Sequence, residues 1–182
     1  DEHAAVTDIL ASTQRLTEAT QIYQYKNASP EHPLTMTLRI VNPNFEDGTT
    51  GWENDGMLTQ TNTSFPGKSG TTYLERWVNI GSKVPDVGIR QTLEGIPDGK
   101  YRLRAAVGNI QQNGANSTVN AGEKQTGVTL YAGIYDMPVD TMKAHKDLYF
   151  TVVDGQVTIG FKAENATGNW ICLDNIRLYY LG

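Results

Sequence analysis

The sequence predicts an all-β fold, a two-layer antiparallel β-sandwich with an N-terminal helix. Three observations predict it. Short segments of alternating apolar and polar residues recur from residue 34 to the end, with turn residues between them. Only 19% of the 182 residues are charged, and Gly, Thr and Asn are plentiful, which is the composition of strands and tight turns rather than of a helical bundle. Helical periodicity is confined to the first few turns of chain, so no helices alternate with the strands as a parallel sheet would require.

The helix covers residues 3 to about 24. Val6, Ile9, Leu10, Leu16 and Tyr23 recur at spacings near three, four and seven, and Thr13 and Thr20 fill the same face. Asn27-Ala28-Ser29-Pro30 ends it, and Pro33 is a second break. A lone amphipathic helix needs a partner surface. Either it packs on the sheets, or it is the tail of a preceding domain, and a linker-like remnant is the expectation. Residues 1–33 are therefore set apart from a β-domain of residues 34–182. The chain opens at Asp1 without a Met, and it reads as a piece of something longer.

Nine strands are expected, over residues 34–41, 57–64, 71–79, 86–94, 100–109, 127–135, 148–153, 156–162 and 170–180. In the first, Met36, Leu38 and Ile40 point one way and Thr35, Thr37 and Arg39 the other. Tyr101, Leu103, Ala105 and Val107 oppose Arg102, Arg104 and Ala106; Val128, Leu130 and Ile134 oppose Thr129 and Tyr131; Val157, Ile159 and Phe161 oppose Gln156, Thr158 and Lys162. Asp154-Gly155 predicts a type I′ hairpin, and Pro97-Asp98-Gly99 another turn.

Two loops stand out. Residues 110–126 form the longest polar stretch, and a loop of that length in a compact domain is functional or mobile. Asn42-Pro43-Asn44-Phe45-Glu46-Asp47-Gly48-Thr49-Thr50-Gly51-Trp52 combines carboxylates, amides and freed carbonyls around one aromatic plug. Such a loop suits a hard, oxygen-seeking cation, or it is a polar turn between strands.

Composition narrows the function. The formal charge is −5 without long runs, so the basic footprint of a nucleic-acid binder is missing. No apolar run is long enough to span a bilayer. Cys172 is the single cysteine, which excludes an internal disulfide, and its apolar strand makes it a small buried hydrophobe. His3, His32 and His145 lie in a tail, a Pro-rich linker and a loop, without transition-metal spacing. There is no Gly-x-Ser-x-Gly elbow and no phosphate-cradling Gly-rich loop ahead of a helix. The expectation is that the chain is not an enzyme.

Four motifs in order resemble a known group. These are Asn42-Pro43-Asn44-Phe45-Glu46 followed by Gly51-Trp52; Tyr73-Leu74-Glu75-Arg76-Trp77; Ile89-Arg90-Gln91-Thr92-Leu93-Glu94-Gly95-Ile96-Pro97-Asp98-Gly99-Lys100-Tyr101; and Asn169-Trp170-Ile171-Cys172-Leu173-Asp174-Asn175-Ile176-Arg177-Leu178. Together they resemble the galactose-binding-like jelly rolls, among them carbohydrate-binding modules attached to bacterial polysaccharide-degrading enzymes. The resemblance covers residues 34–182 and leaves the helix outside.

It implies a non-catalytic carbohydrate-binding module that targets an attached or partner enzyme to a glycan or polysaccharide. A neighbouring domain, and an extracellular, periplasmic or cell-surface location, go with it. The alternative is a jelly roll that braces or contacts other protein. The resemblance also implies one structural calcium held by Glu46 and Asp174, with carbonyls near Asn44 and in the turn 67–70 as weaker ligands. Sugar binding asks for flat aromatic faces and planar polar groups. Trp52 reads as a core plug, Trp77 has an undecided face, and Trp170 beside its Gly-Asn turn is expected to be half exposed. Arg90, Arg104 and Tyr131 share a parity on their strands. On one sheet face they could bind a sugar, especially an acidic one, or form an ordinary solvated face.

Overall fold

A computed structural model describes residues 2–115 and 117–182, with side chains from Ala5 onward; Asp1, Asn116 and the His3 side chain lie outside the described residues. Helix α1 spans Glu2–Asn27. Its stripe of Val6, Ile9, Leu10, Leu16 and Tyr23 is exposed. Thr13 and Thr20 turn their hydroxyls back to the carbonyls of Ile9 and Leu16, at 2.9 and 2.8 Å. The helix meets the sandwich at its last turn, where the Tyr25 ring stands edge-on to Tyr180 with centroids 5.7 Å apart.

The β-domain is a sandwich of two antiparallel sheets. One has the order β3 (Leu58–Gln60), β4 (Tyr73–Trp77), β11 (Trp170–Tyr180), β6 (Gly99–Ile110), β9 (Lys143–Val152). Its sixth strand, β1 (Leu34–Thr35), pairs with the far end of β11. The other has the order β2 (Glu53–Asp55), β5 (Val87–Glu94), β10 (Gln156–Ala163), β7 (Val128–Ala132), β8 (Tyr135–Pro138). Alternation along the long strands builds the core: Val87, Ile89 and Leu93; Tyr101, Leu103, Ala105 and Val107; Val157, Ile159 and Phe161; Ile171, Leu173, Ile176, Leu178 and Tyr180. The step from Leu173 to Ile176 breaks the period of two, because a bulge lies between Asp174 and Arg177 and Asn175 takes a φ of 52°. A smaller apolar cluster of Phe65, Tyr73, Ala106, Ile110, Trp170 and Cys172 forms apart from this core.

Several expectations need correction. The strand over 34–41 stops after two residues and becomes a 3-10 turn, Thr37–Arg39. Met36 and Ile40 are buried but Leu38 is fully exposed. Residues four apart face one way in a helical turn as well as in a strand, so the alternation was ambiguous there. Ile134 is exposed rather than aligned with Val128 and Leu130, because Gly133, at φ 59°, opens the turn into β8. Asp154 and Gly155, with φ of 63° and 68°, make the left-handed pair that a type I′ turn requires.

Candidate functional site

The loop 42–52 is anchored at both ends by one buried amide. Gln91 accepts the Val41 N–H at 2.9 Å and donates to the carbonyls of Val41 and Gly51 at 3.1 and 2.8 Å. Trp52 is buried as expected, with its ring 5.3 Å from that of Phe45 and its indole N–H on the Val41 carbonyl at 2.9 Å. The Pro43 carbonyl accepts the Ile176 N–H at 3.0 Å, which ties the loop to β11. Asn42 and Phe45 hold φ of 50° and 54°, so with Asn175 three non-glycine residues around this spot are left-handed. Such backbone persists only where the surroundings over-determine it.

Glu46 and Asp174 both reach the segment 69–72. Glu46 Oε1 accepts the N–H groups of Thr71 and Thr72 at 2.9 and 3.0 Å, and Asp174 Oδ2 accepts that of Ser69 at 2.6 Å. A Cβ on Gly70, where φ is 86°, would fall 2.5 Å from Glu46 Oε1. Asp174 is fully buried, and its second oxygen, Oδ1, has no partner. Burial pushes its carboxyl up to about 7 against the opposing Ser69 N–H, and the Glu46 charge adds to the rise. An orphaned buried carboxylate oxygen beside a second acid is a donor set that fits a hard cation. No group of three or more His, Cys, Asp or Glu gathers for a metal among the described residues, so carbonyls would have to complete such a shell. The Asn44 side chain is already engaged, because its Oδ1 accepts from the Arg177 guanidinium at 2.8 Å. That leaves the Asn44 carbonyl as its remaining oxygen.

β4 presents Tyr73, Glu75 and Trp77 on one face, with Trp77 opposite Trp170 and Glu75 opposite Cys172 on β11. Trp77 is 48% exposed. Its indole N–H is donated to Gln112 Oε1 at 2.8 Å, and the same oxygen takes the Asn169 amide at 3.0 Å. Trp170 is 2% exposed rather than half exposed. It lies in the smaller apolar cluster, and its N–H goes to Glu75 Oε2 at 2.8 Å. The Tyr73 hydroxyl donates to that oxygen at 3.0 Å, and Gln60 donates to Glu75 Oε1 at 3.2 Å. Burial holds the Tyr73 hydroxyl far above its ordinary pKa, so it remains a donor. Gln60, Asn62, Ser64, Glu75, Trp77 and Gln112 contribute to a cleft of about 310 Å³ here.

Arg90 and Tyr131 lie in the other sheet. One cross-strand row runs Glu53–Arg90–Gly160–Tyr131–Asp136 over β2, β5, β10, β7 and β8. Arg90 donates to Glu53 Oε2 from Nε and Nη2, at 2.8 and 2.6 Å. Arg104 does not join them. It sits on β6 in the six-stranded sheet and pairs with Asp147 through two hydrogen bonds of 2.6 and 2.7 Å. Between β5 and β6 the chain crosses from one sheet to the other, so shared parity on consecutive strands did not mean a shared face.

The sequence reading missed Gln60, Gln112, Glu53, Lys162, Gly88 and Gly160. Only the glycines carried a signal, since glycine inside a strand marks a bend or a close approach. The amides and the ion-pair partners lie in polar or edge segments that no periodicity distinguishes.

No protein-family model matches the chain, and no curated protein does. Solved structures do. TmCBM61 in complex with β-1,4-galactotriose matches at a TM-score of 0.56 and 18% identity, over 76% of this chain and 95% of that one. A cyclase from Fischerella sp. TAU matches at 0.55 and 16%, over 81% of this chain and 96% of the cyclase. A Stig cyclase from the same source, in complex with (3Z)-3-(1-methyl-2-pyrrolidinylidene)-3H-indole, matches at 0.53 and 16%, over 81% and 97%. The likeness is one of fold: the chain is a β-jelly roll of the type found in carbohydrate-binding modules. Since the same architecture also serves the cyclases, function has to be argued from the side chains.

Proposed function

We propose that the chain is a non-catalytic carbohydrate-binding module that holds a glycan against Trp77. The carrying observation is the Trp77 indole, half exposed and pinned through its N–H, on a cleft of amides and one carboxylate. A sugar ring stacks its C–H face on such an aromatic plane, while planar polar groups take the hydroxyls. The indole is already fixed, so little side-chain entropy is lost on binding. Glu75 is an acceptor already bonded to Trp170, Tyr73 and Gln60, which suits a hydroxyl-binding role better than proton delivery. TmCBM61 holds β-1,4-galactotriose on a related fold, which supports the same class of ligand here.

The module would act outside the cytoplasm, at the cell surface or in the periplasm. There it would raise the local concentration of an attached or partner enzyme on its substrate. Calcium at Glu46 and Asp174, with carbonyls of the loop 42–52 and the segment 67–70, would neutralise two acids and tie the loop to β11. Its role would be structural.

Affinity electrophoresis against neutral and acidic polysaccharides tests the reading. Retardation by at least one glycan, lost in Trp77→Ala with the melting temperature kept, is the expected result. No retardation by any glycan, or release of new reducing ends on incubation, would overturn it.

A further inference from the structure

The groove on the five-stranded sheet is the second built feature of the molecule, and its floor is made of glycine. Gly160 lies between Arg90 and Tyr131 in their row, and Gly88 lies between Asp55 and Lys162 in the adjacent one. Neither has a left-handed φ, so neither is required by the backbone. Glycine inside a strand weakens it relative to a side chain that packs. What it provides is room. A Cβ on Gly160 would fall 2.5 Å from Cζ and the hydroxyl of Tyr131, so the tyrosine ring lies down across β10. A Cβ on Gly88 would sit at ordinary contact distance from the Phe161 carbonyl, at 3.4 Å, and from the Lys162 Cβ, at 3.5 Å, so the bare glycine leaves a side chain's width free on the groove floor. The resulting groove has a volume of about 440 Å³.

Its charges select against anions. Arg90 is paired with Glu53 at 2.6 Å, and Lys162 with Glu164 at 3.1 Å, while the Lys162 ammonium stands 5.9 Å from the centre of the Tyr131 ring. The lining also carries Asp55 and Asp86, so four carboxylates face two cations. The expectation that Arg90 favours an acidic sugar therefore reverses, since its charge is already answered.

We propose that this groove is a second, independent sugar site that takes an uncharged glycan chain across Tyr131, so that one module holds two chains. It shares its ligand class, but not its residues, with the Trp77 cleft on the other sheet. The aromatic face stacks a pyranose ring, and the flanking ion pairs and carboxylates accept and donate to hydroxyls.

Titration calorimetry with β-1,4-galactotriose and with neutral glucose, mannose and xylose trisaccharides tests it, with trigalacturonate as the anionic comparison. Two sites per chain are expected for at least one neutral trisaccharide, and for trigalacturonate no site that depends on Tyr131. Gly88→Leu, which fills the groove, and Tyr131→Ala, which removes its platform, should each lower the stoichiometry to one. Trp77→Ala should remove the other site. Because a side chain at 88 approaches the Phe161 carbonyl, Tyr131→Ala serves as the variant that adds no bulk. A single site abolished by Trp77→Ala and untouched by both groove variants would overturn this proposal and leave the Trp77 cleft standing. Absence of binding by every trisaccharide would overturn both, and trigalacturonate binding that is lost in Tyr131→Ala would overturn the charge argument.

Discussion

Asp174→Asn replaces a buried carboxylate by a neutral group of the same shape, and its effects should differ in sign with and without calcium. In metal-free protein the ionised form is expensive, because the residue is sealed from water and one oxygen has no partner. Below about pH 3 the carboxyl is protonated in the folded and the unfolded chain, and nothing is lost. From there to about pH 7 the unfolded chain gives up its proton while the folded one keeps it, so stability falls as pH rises and levels off above pH 7. The gap between 3.8 and about 7, at ~1.36 kcal/mol per pH unit, caps the loss at roughly 4 kcal/mol. Asparagine escapes this loss. In EDTA at pH 8 the variant should therefore melt higher than the wild type, by at most roughly 8–16 °C at ~2–4 °C per kcal/mol for a chain of this size. At pH 3 the two should melt together. Millimolar calcium at pH 8 should then raise the wild type and leave the variant unmoved. Differential scanning calorimetry reads all of these. A variant that melts lower than the wild type in EDTA at pH 8 would refute the burial argument, and a wild type indifferent to calcium would remove the cation.

Trp52→Ala should cost ~3–5 kcal/mol, since it empties a core position and removes the indole hydrogen bond to the Val41 carbonyl, whereas Trp77→Ala should stay within ~1 kcal/mol; equal losses in denaturant melts would contradict the burial pattern. Arg104→Ala should leave glycan retardation intact and cost about 1 kcal/mol or less, because its partner Asp147 is on the same sheet and the pair is partly solvated. Lost retardation would return Arg104 to the site. Cys172 is fully buried and burial pushes its thiol up, so it should resist a thiol reagent until denaturant is added; rapid labelling of native protein would refute this.

The long central strands were legible because each buries one face, and alternation is the direct imprint of that burial. Val157, Ile159 and Phe161 could be placed without coordinates for this reason. The segments that escaped notice are those without a buried face. Glu53–Asp55 is exposed throughout and Tyr135–Pro138 largely so, and Lys143, Ala144 and His145 at the start of Lys143–Val152 are exposed. β2 and β8 close the two edges of their sheet, where charge discourages pairing with another chain. The candidate site was legible in part. Glu46 and Asp174 do reach one loop, and Arg90 and Tyr131 do share a row, but Arg104 was misplaced because parity says nothing about which sheet a strand joins. The amide partners Gln60 and Gln112 were invisible, since their roles depend on distant chain meeting Glu75 and Trp77.

The pairing of Leu34 with Tyr180 sets the beginning and the finish of the sandwich shoulder to shoulder. A short tether could therefore close the two ends, and the ring so formed could be opened afresh at the exposed Gly133-Ile134 corner. Such a circular permutant keeps every ladder of both sheets while changing where the chain leaves the body. A host protein fused there would face a different flank of the same module.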